Sequence, residues 1–349
     1  MLKRNSNLIQ KFSLGILFIF CMGIPYSNLA KASAVSFPCT GGTYDVINGV
    51  ASNGNQCSGS LTLDESVTSV ADNGFLYASL TSLNLDHSLQ TIGEHAFDNS
   101  NLTSLQLNNS LTSIGKNAFY HSTLTSLKLD KSLVSVGDES FVSSPITSLK
   151  LDENLSSIGN SAFYHANLSQ LDLDDNLTSI GSNAFYSSSL LSLKLDESLM
   201  SIGNSAFNQS PLTNLKINEK LVSIGDDAFS HAQLTSLRLK NSVQIVGFGA
   251  FYHSQLSLLI LPDSIIEIRG GAFSESPIQK LVIGKSVTKL WTEGRRHNSY
   301  TPAFSKINLT CLTNKSALTP VDLINAGIVN AGLLPNCSKE NDLESQKNI

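Results

Sequence analysis

The chain is 349 residues long, with 41% hydrophobic and 15% charged side chains and a formal net charge of -5. That balance excludes a disordered polyelectrolyte, which has too little apolar surface to fold, and a general nucleic-acid binder, which needs a basic face to displace counterions from phosphates. Leu at 51 positions and Ser at 54, against one Trp and three Met, signals repetition instead.

Residues 1–34 read as an export signal. Lys3, Arg4 and Lys11 precede the apolar run Leu14 to Ile24, and Ala30-Lys31-Ala32 and Ala32-Ser33-Ala34 offer small-residue cleavage sites. The run is 11 residues, well short of the roughly 20 that a spanning helix needs, so no stable membrane span is expected in the mature chain. Bulky Phe18-Ile19-Phe20 before Cys21 argue against lipoprotein processing. Without this segment the chain carries 19 basic and 28 acidic residues. Export also permits disulfides among the four remaining cysteines, Cys39, Cys57, Cys311 and Cys337.

Residues 35–60 are expected to form an N-terminal hairpin. Asn48-Gly49 is a two-residue turn signal between extended stretches, flanked by Cys39 and Cys57. From Leu61 to Leu309 a unit of 22 residues repeats: Phe stands at 75, 97, 119, 141, 163, 185, 207, 229, 251 and 273, with Gly and Leu columns in the same phase. Such a period predicts a solenoid. Within a unit, Leu127-Lys-Leu129 alternates as a half-buried strand. Leu133-Val-Ser-Val136 adds a second extended piece, which ends at Gly137, read as a positive-φ position. Ala118-Phe119 makes a tight turn whose ring enters the core. One unit cannot bury its own apolar face, so neighbours must stack, and the phenylalanine run spans about 45–50 Å at the usual strand spacing.

Residues 310–337 hold a short predicted helix, with Thr319 as N-cap, Pro320 at the first position and Gly327 as the stop. Residues 338–349 read as a polar, disordered tail. A disulfide needs Cα atoms within about 7 Å, and the rod separates the two ends by far more. The expected pairs are therefore Cys39–Cys57 and Cys311–Cys337, each stapling one end.

The unit Leu190-Leu-Ser-Leu193-Lys-Leu195-Asp-Glu-Ser-Leu199-Met-Ser-Ile202-Gly203-Asn-Ser-Ala206-Phe207 resembles the BspA-like, or Treponema-type, leucine-rich repeat family of surface proteins. The resemblance implies a β-rich leucine-rich-repeat solenoid of about ten stacked units plus an irregular last one, with a role in surface interaction or adhesion. Here the unit is one residue shorter than the family's, Ser or Ala replaces its usual cysteine after Ala-Phe (Ser100, Ser122, Ser144, Ala166, Ser188), and Leu-Asp mostly replaces Leu-Pro.

Few residues point to chemistry. Gly159-Asn-Ser161 and Gly203-Asn-Ser205 come nearest to a nucleophile elbow, but both run into Ala-Phe as ordinary repeat columns, so no enzyme and no cofactor are expected. His231 and His253 are the only column histidines in adjacent units, too few for a zinc site. Asp64, Asp86, Asp130, Asp152, Asp174 and Asp196, with Asn108 and Asn218, form a column that could invite calcium, yet Asp and Asn also recur where side chains satisfy turn backbones.

The pattern breaks between Phe273 and Phe304, where residues 291–302 insert Trp291, Arg295, Arg296 and Tyr300. Trp, Tyr and Arg dominate interface hot spots. Nearby, the outward strand positions change to Leu258, Ile260 and Val282, read as an exposed apolar strip. Residues 275–315 carry seven basic and two acidic side chains, residues 35–274 ten and 22. Either the insertion closes the solenoid's end or it is a contact surface. The expected function is that of a secreted or surface-bound binder of an extracellular protein or glycan. The alternative is a structural element of a matrix or surface layer that assembles through its ends. Whether Lys128, Lys150, Lys194, Lys216 and Arg238 form a ligand ladder is left open by the sequence.

Overall fold

A computed structural model describes residues 33–85, 88–107, 109–129, 131–151, 154–173, 176–291 and 301–337. Most of the signal-like segment, the tail from Ser338, and Arg295, Arg296 and Tyr300 of the insertion lie outside the described residues, as do Asp86, Asn108, Asp130, Asp152 and Asp174.

Each repeat contributes three short runs to three ladders. The Ser-Ile or Ser-Val pairs, such as Ser113–Ile114, Ser135–Val136 and Ser157–Ile158, stack in parallel within one 14-stranded sheet. That sheet begins antiparallel, with Val35–Cys39, Gly42–Ile47 and Val50–Ser52. The Leu-centred strands, such as Ser126–Lys128, Ser148–Lys150 and Gln170–Asp172, stack as shorter parallel sheets. Thr and Ser before the Ser-Ile and Ser-Val pairs recur for a local reason. Their hydroxyls donate to the carbonyl one turn earlier, as Thr112 Oγ1 does to Gln90 O and Thr178 Oγ1 to Ser156 O, both at 3.0 Å.

The third ladder is made by the Ala-Phe turns. Asn117 and His121 take φ of 54° and 56°, a conformation that is uncommon for non-glycine residues. Alternating it with ordinary backbone lines up N–H groups toward the next turn: Asn117 N donates to Asp138 O at 2.9 Å, Phe119 N to Ser140 O at 2.9 Å and His121 N to Val142 O at 3.1 Å. The same three bonds repeat along the rod, which offsets the strained torsions.

The glycine column serves a different purpose from the one its sequence position suggests. Gly137 is not among the residues with positive φ. A Cβ there would lie 2.7 Å from Gly115 C and Ile114 O of the preceding turn, so the column is glycine because adjacent backbones pass too close for a side chain.

Inside, Phe75 to Phe273 stack at centroid separations of 5.2–5.5 Å with planes within 15°, all fully buried. Tyr44 and Phe37 extend the stack at the N-terminal end, at 5.6 and 5.5 Å. Phe304 continues it at 5.7 Å from Phe273, and Ala303 N donates to Trp291 O at 3.2 Å, so the repeat resumes directly across the insertion. The last turn hands Phe304 N to Ala326 O, at the end of the helix Pro320–Asn325, whose Thr319 and Asp322 form a reciprocal capping box. Disulfides join Cys39 to Cys57 and Cys311 to Cys337, with Cα separations of 5.5 and 5.1 Å. Each is worth about 3 kcal/mol by loop closure.

The serines that stand in the family's cysteine column are buried, and all but Ser100, whose hydroxyl has no hydrogen-bond partner among the described residues, pair with each other. Ser122 with Ser144, Ser188 with Ser210, and Ser254 with Ser276 share hydrogen bonds of 2.7, 2.7 and 2.8 Å, and buried Ala166 and Ala232 separate the pairs. Ser188→Ala is expected to lower stability by about 1–2 kcal/mol, because the hydroxyl of Ser210 is left buried beside Ala232. The double change Ser188→Ala, Ser210→Ala should restore most of that in a thermal melt; a double variant as unstable as the single one would refute the pairing.

Candidate functional site

Trp291, the first residue of the insertion, is 41% exposed. Its Nε1 donates to Glu267 Oε1 at 3.0 Å and its ring meets the edge of Phe248 at 5.5 Å and 75°. Arg269 Nε donates to the same Glu267 oxygen at 2.9 Å, and its guanidinium carbon lies 5.6 Å from the Phe248 ring centre. Arg269 Nη1 also approaches Asp226 Oδ1 at 3.5 Å, while that oxygen accepts from Phe248 N at 2.9 Å. Glu267 is held below the usual carboxylate range, chiefly by the hydrogen bond from Arg269 and further by that from Trp291, with burial opposing. Arg269 is correspondingly raised by Glu267. The result is a half-exposed indole fixed by Glu267 and Phe248, with the Arg269 cation close by.

Successive turns supply this cluster because three columns break together. Phe248 replaces the Asp or Asn seen at Asp226 and Asn204, Glu267 replaces a Ser column, and Arg269 falls where Gly225 and Gly247 stand in earlier turns. Sequence reasoning found Trp291 but missed these three. The visible signal was their joint departure from otherwise constant columns. Beside the indole, a cleft of about 460 Å³ is lined by Thr288, Lys289, Leu290, Trp291, Leu318, Asp322 and Asn325.

Leu258, Ile260 and Val282 are half-buried, which corrects their reading as an exposed strip. Ile260 aligns with Val282 and Val282 with Thr313, so neighbouring turns cover much of each side chain. Ile260 lines a second cleft of about 530 Å³ with Arg238, Lys240, Pro262 and Lys315. The structure does not bring these three residues into the Trp291 cluster.

The sequence matches the family model described as BspA type Leucine rich repeat region (6 copies) over residues 68–191 and 178–294. This chain belongs to the BspA-type leucine-rich repeat family. No curated protein matches it. Similar solved structures include a leucine-rich repeat protein from Bacteroides ovatus, at 20% identity and TM-score 0.45, covering 73% of this chain and 81% of that one. The pneumococcal vaccine antigen PcpA matches at 20% identity and TM-score 0.45 over 82% and 89% of the two chains. A leucine rich cell surface protein from Faecalibacterium prausnitzii matches at 15% and 0.37 over 85% and 99%.

The other polar columns of this BspA-type solenoid resolve into turn chemistry where they are described. Asp64 Oδ1 accepts from Ser66 N at 2.9 Å and Asp196 Oδ1 from Ser198 N at 3.1 Å, while Asn218 Oδ1 accepts from Leu221 N at 2.7 Å. The Ser66 bonds hold Asp64 below its ordinary range. His231 and His253 face each other at 5.4 Å, and among the described residues no group of three or more His, Cys, Asp or Glu could hold a metal. No helix among the described residues is long and apolar enough to cross a membrane.

Proposed function

We propose that this BspA-type chain is a secreted or cell-surface protein that binds another macromolecule in adhesion or cell-surface interaction. Family membership and two disulfides, which persist in oxidising compartments, support that setting. The observation that carries the reading is the Trp291 cluster: an indole locked by Glu267 and Phe248 beside Arg269 at the one break in the repeat. Side chains already held in place lose little freedom on binding, and Trp and Arg are the commonest anchors of interface energy. Arg295, Arg296 and Tyr300 complete the proposed surface from the insertion, while Leu258, Ile260 and Val282, on the Leu-centred strands, offer a separate half-buried apolar patch. No catalytic role or cofactor is part of the proposal.

The test is binding of residues 35–349 to a panel of extracellular matrix proteins and glycans. Trp291→Ala is expected to weaken the interaction by about 2 kcal/mol, roughly thirtyfold, while the melting temperature moves by only a few degrees. An unchanged affinity with a collapsed melt would make the cluster a structural closure and move the ligand elsewhere.

A second reading, assembly through the ends into a matrix or surface layer, is favoured by one observation. Val321, Ile324, Val329 and Leu333, at the end that carries the helix, are 63%, 50%, 70% and 85% exposed. Mass that rises with concentration, and that Leu333→Ser abolishes, would select it.

A further inference from the structure

We infer that the outer face of the Leu-centred strands, from Lys128 to Arg238, is a second binding surface, for a linear anionic polysaccharide carrying sulfate or uronate groups. The inference rests on the reading of the chain as an extracellular binder and adds a ligand class on a different face from Trp291. The parallel register aligns Lys128 with Lys150 and Lys194 with Lys216, and Arg238 follows as the bridge partner of Ile260 in the next turn. At the usual strand spacing the row is about 24 Å long. All four lysines are exposed, and none of them forms an ion pair with a described residue.

Like charges directly opposite each other weaken a sheet, so the row stores repulsion that a bound polyanion relieves. Asp196, the described strand-end carboxylate beside the row, is turned to the N–H group of Ser198. Asp172, aligned with Lys150, interrupts the row once.

The column beside the cations selects among polyanions. Ser126, Ser148, Gln170, Ser192 and Asn214 lie two residues earlier on the same face and in the same register. Hydroxyls and amides flanking a row of ammonium groups match a chain of sugar hydroxyls that bears regularly spaced anions. A nucleic acid would call for aromatic stacking platforms, and a protein partner for apolar anchors; neither column contains an aromatic or apolar residue over this stretch.

The test uses residues 35–349 with heparin as probe and neutral dextran and single-stranded DNA as comparators. Heparin is expected to bind at low salt and to weaken as salt rises. Replacing Lys128, Lys150, Lys194 and Lys216 together by Gln should weaken binding about tenfold without lowering the melting temperature, since all four side chains are exposed and mutually repulsive. Asp172→Lys should tighten it by making the row continuous, and Trp291→Ala should leave it unchanged. Equal binding by the quadruple variant, equal binding of dextran, or DNA competing as well as heparin overturns the inference. If heparin fails while a protein ligand is lost with Trp291→Ala, this inference falls and the binding reading stands; if nothing binds at either face, both fall.

Discussion

Phe163→Ala is expected to lower the stability of the solenoid by about 3–5 kcal/mol, or about 5–8 °C in melting temperature for a domain of this size. The ring is fully buried between Phe141 at 5.3 Å and Phe185 at 5.5 Å, with planes parallel to within 3°. Neighbouring turns cannot close over the gap, because Phe141 N–Ala162 O and Phe163 N–Ala184 O hydrogen bonds fix their separation. The cavity therefore persists, and its full penalty is felt. Because each turn touches only its neighbours, a central lesion also loosens the coupling between the two halves. Trp291, the only tryptophan, reports the C-terminal half, so its fluorescence melt should separate from the melt followed by circular dichroism. Coincident transitions at the wild-type temperature would contradict this account of the core.

Gly181→Ala is the second large effect. A Cβ at Gly181 would lie 2.5 Å from Gly159 C and 2.6 Å from Asn160 N, atoms of a backbone held by the Gly181 N–Ile158 O hydrogen bond of 2.9 Å. No rotamer relieves an overlap with main chain, so the two turns must part, at a cost of about 3 kcal/mol. Gly271→Ala is the matched comparison. Gly271 has φ of +70°, but its added Cβ meets nothing closer than 3.6 Å, so only the left-handed torsion is penalised, by about 1–2 kcal/mol. Chemical unfolding of both variants checks the order; Gly181→Ala as mild as Gly271→Ala would show that the glycine column is not a steric requirement.

These two substitutions separate what a column of identical residues reveals from why it exists. The recurrence of glycine every 22 residues is plain in the sequence, but its natural reading as a turn residue with positive φ is not what the fold uses. The positive-φ positions are Asn117, Glu139 or Ser161, two residues after each glycine, and His121, Ser143 or His165, four residues later again. Asn, Asp, His and Gly, which tolerate this region best, recur there (Asn73, Asn117, Asn183, Asp227, Gly249, His121, His165), but Glu139, Ser143 and Ser161 blur the column, because bonds to the next turn hold the conformation whichever residue is present.

The period, the Leu and Phe columns, the two disulfide pairs and the helix with its Thr319 cap were determined by the sequence alone, since each depends on local spacing and on the fact that a repeat must bury its face against its neighbour. Trp291 was also legible, as a rare residue where the period fails. Only the tertiary structure decided that Phe248 and Glu267, drawn from different turns, meet that indole with Arg269 tied to both. It likewise decided that Leu258, Ile260 and Val282 are half-covered, and that the serine hydroxyls pair across turns. The physical reason is the same in each case: these properties belong to the side chains stacked one turn above and below, which lie about 5 Å away in space and 22 residues away in the chain.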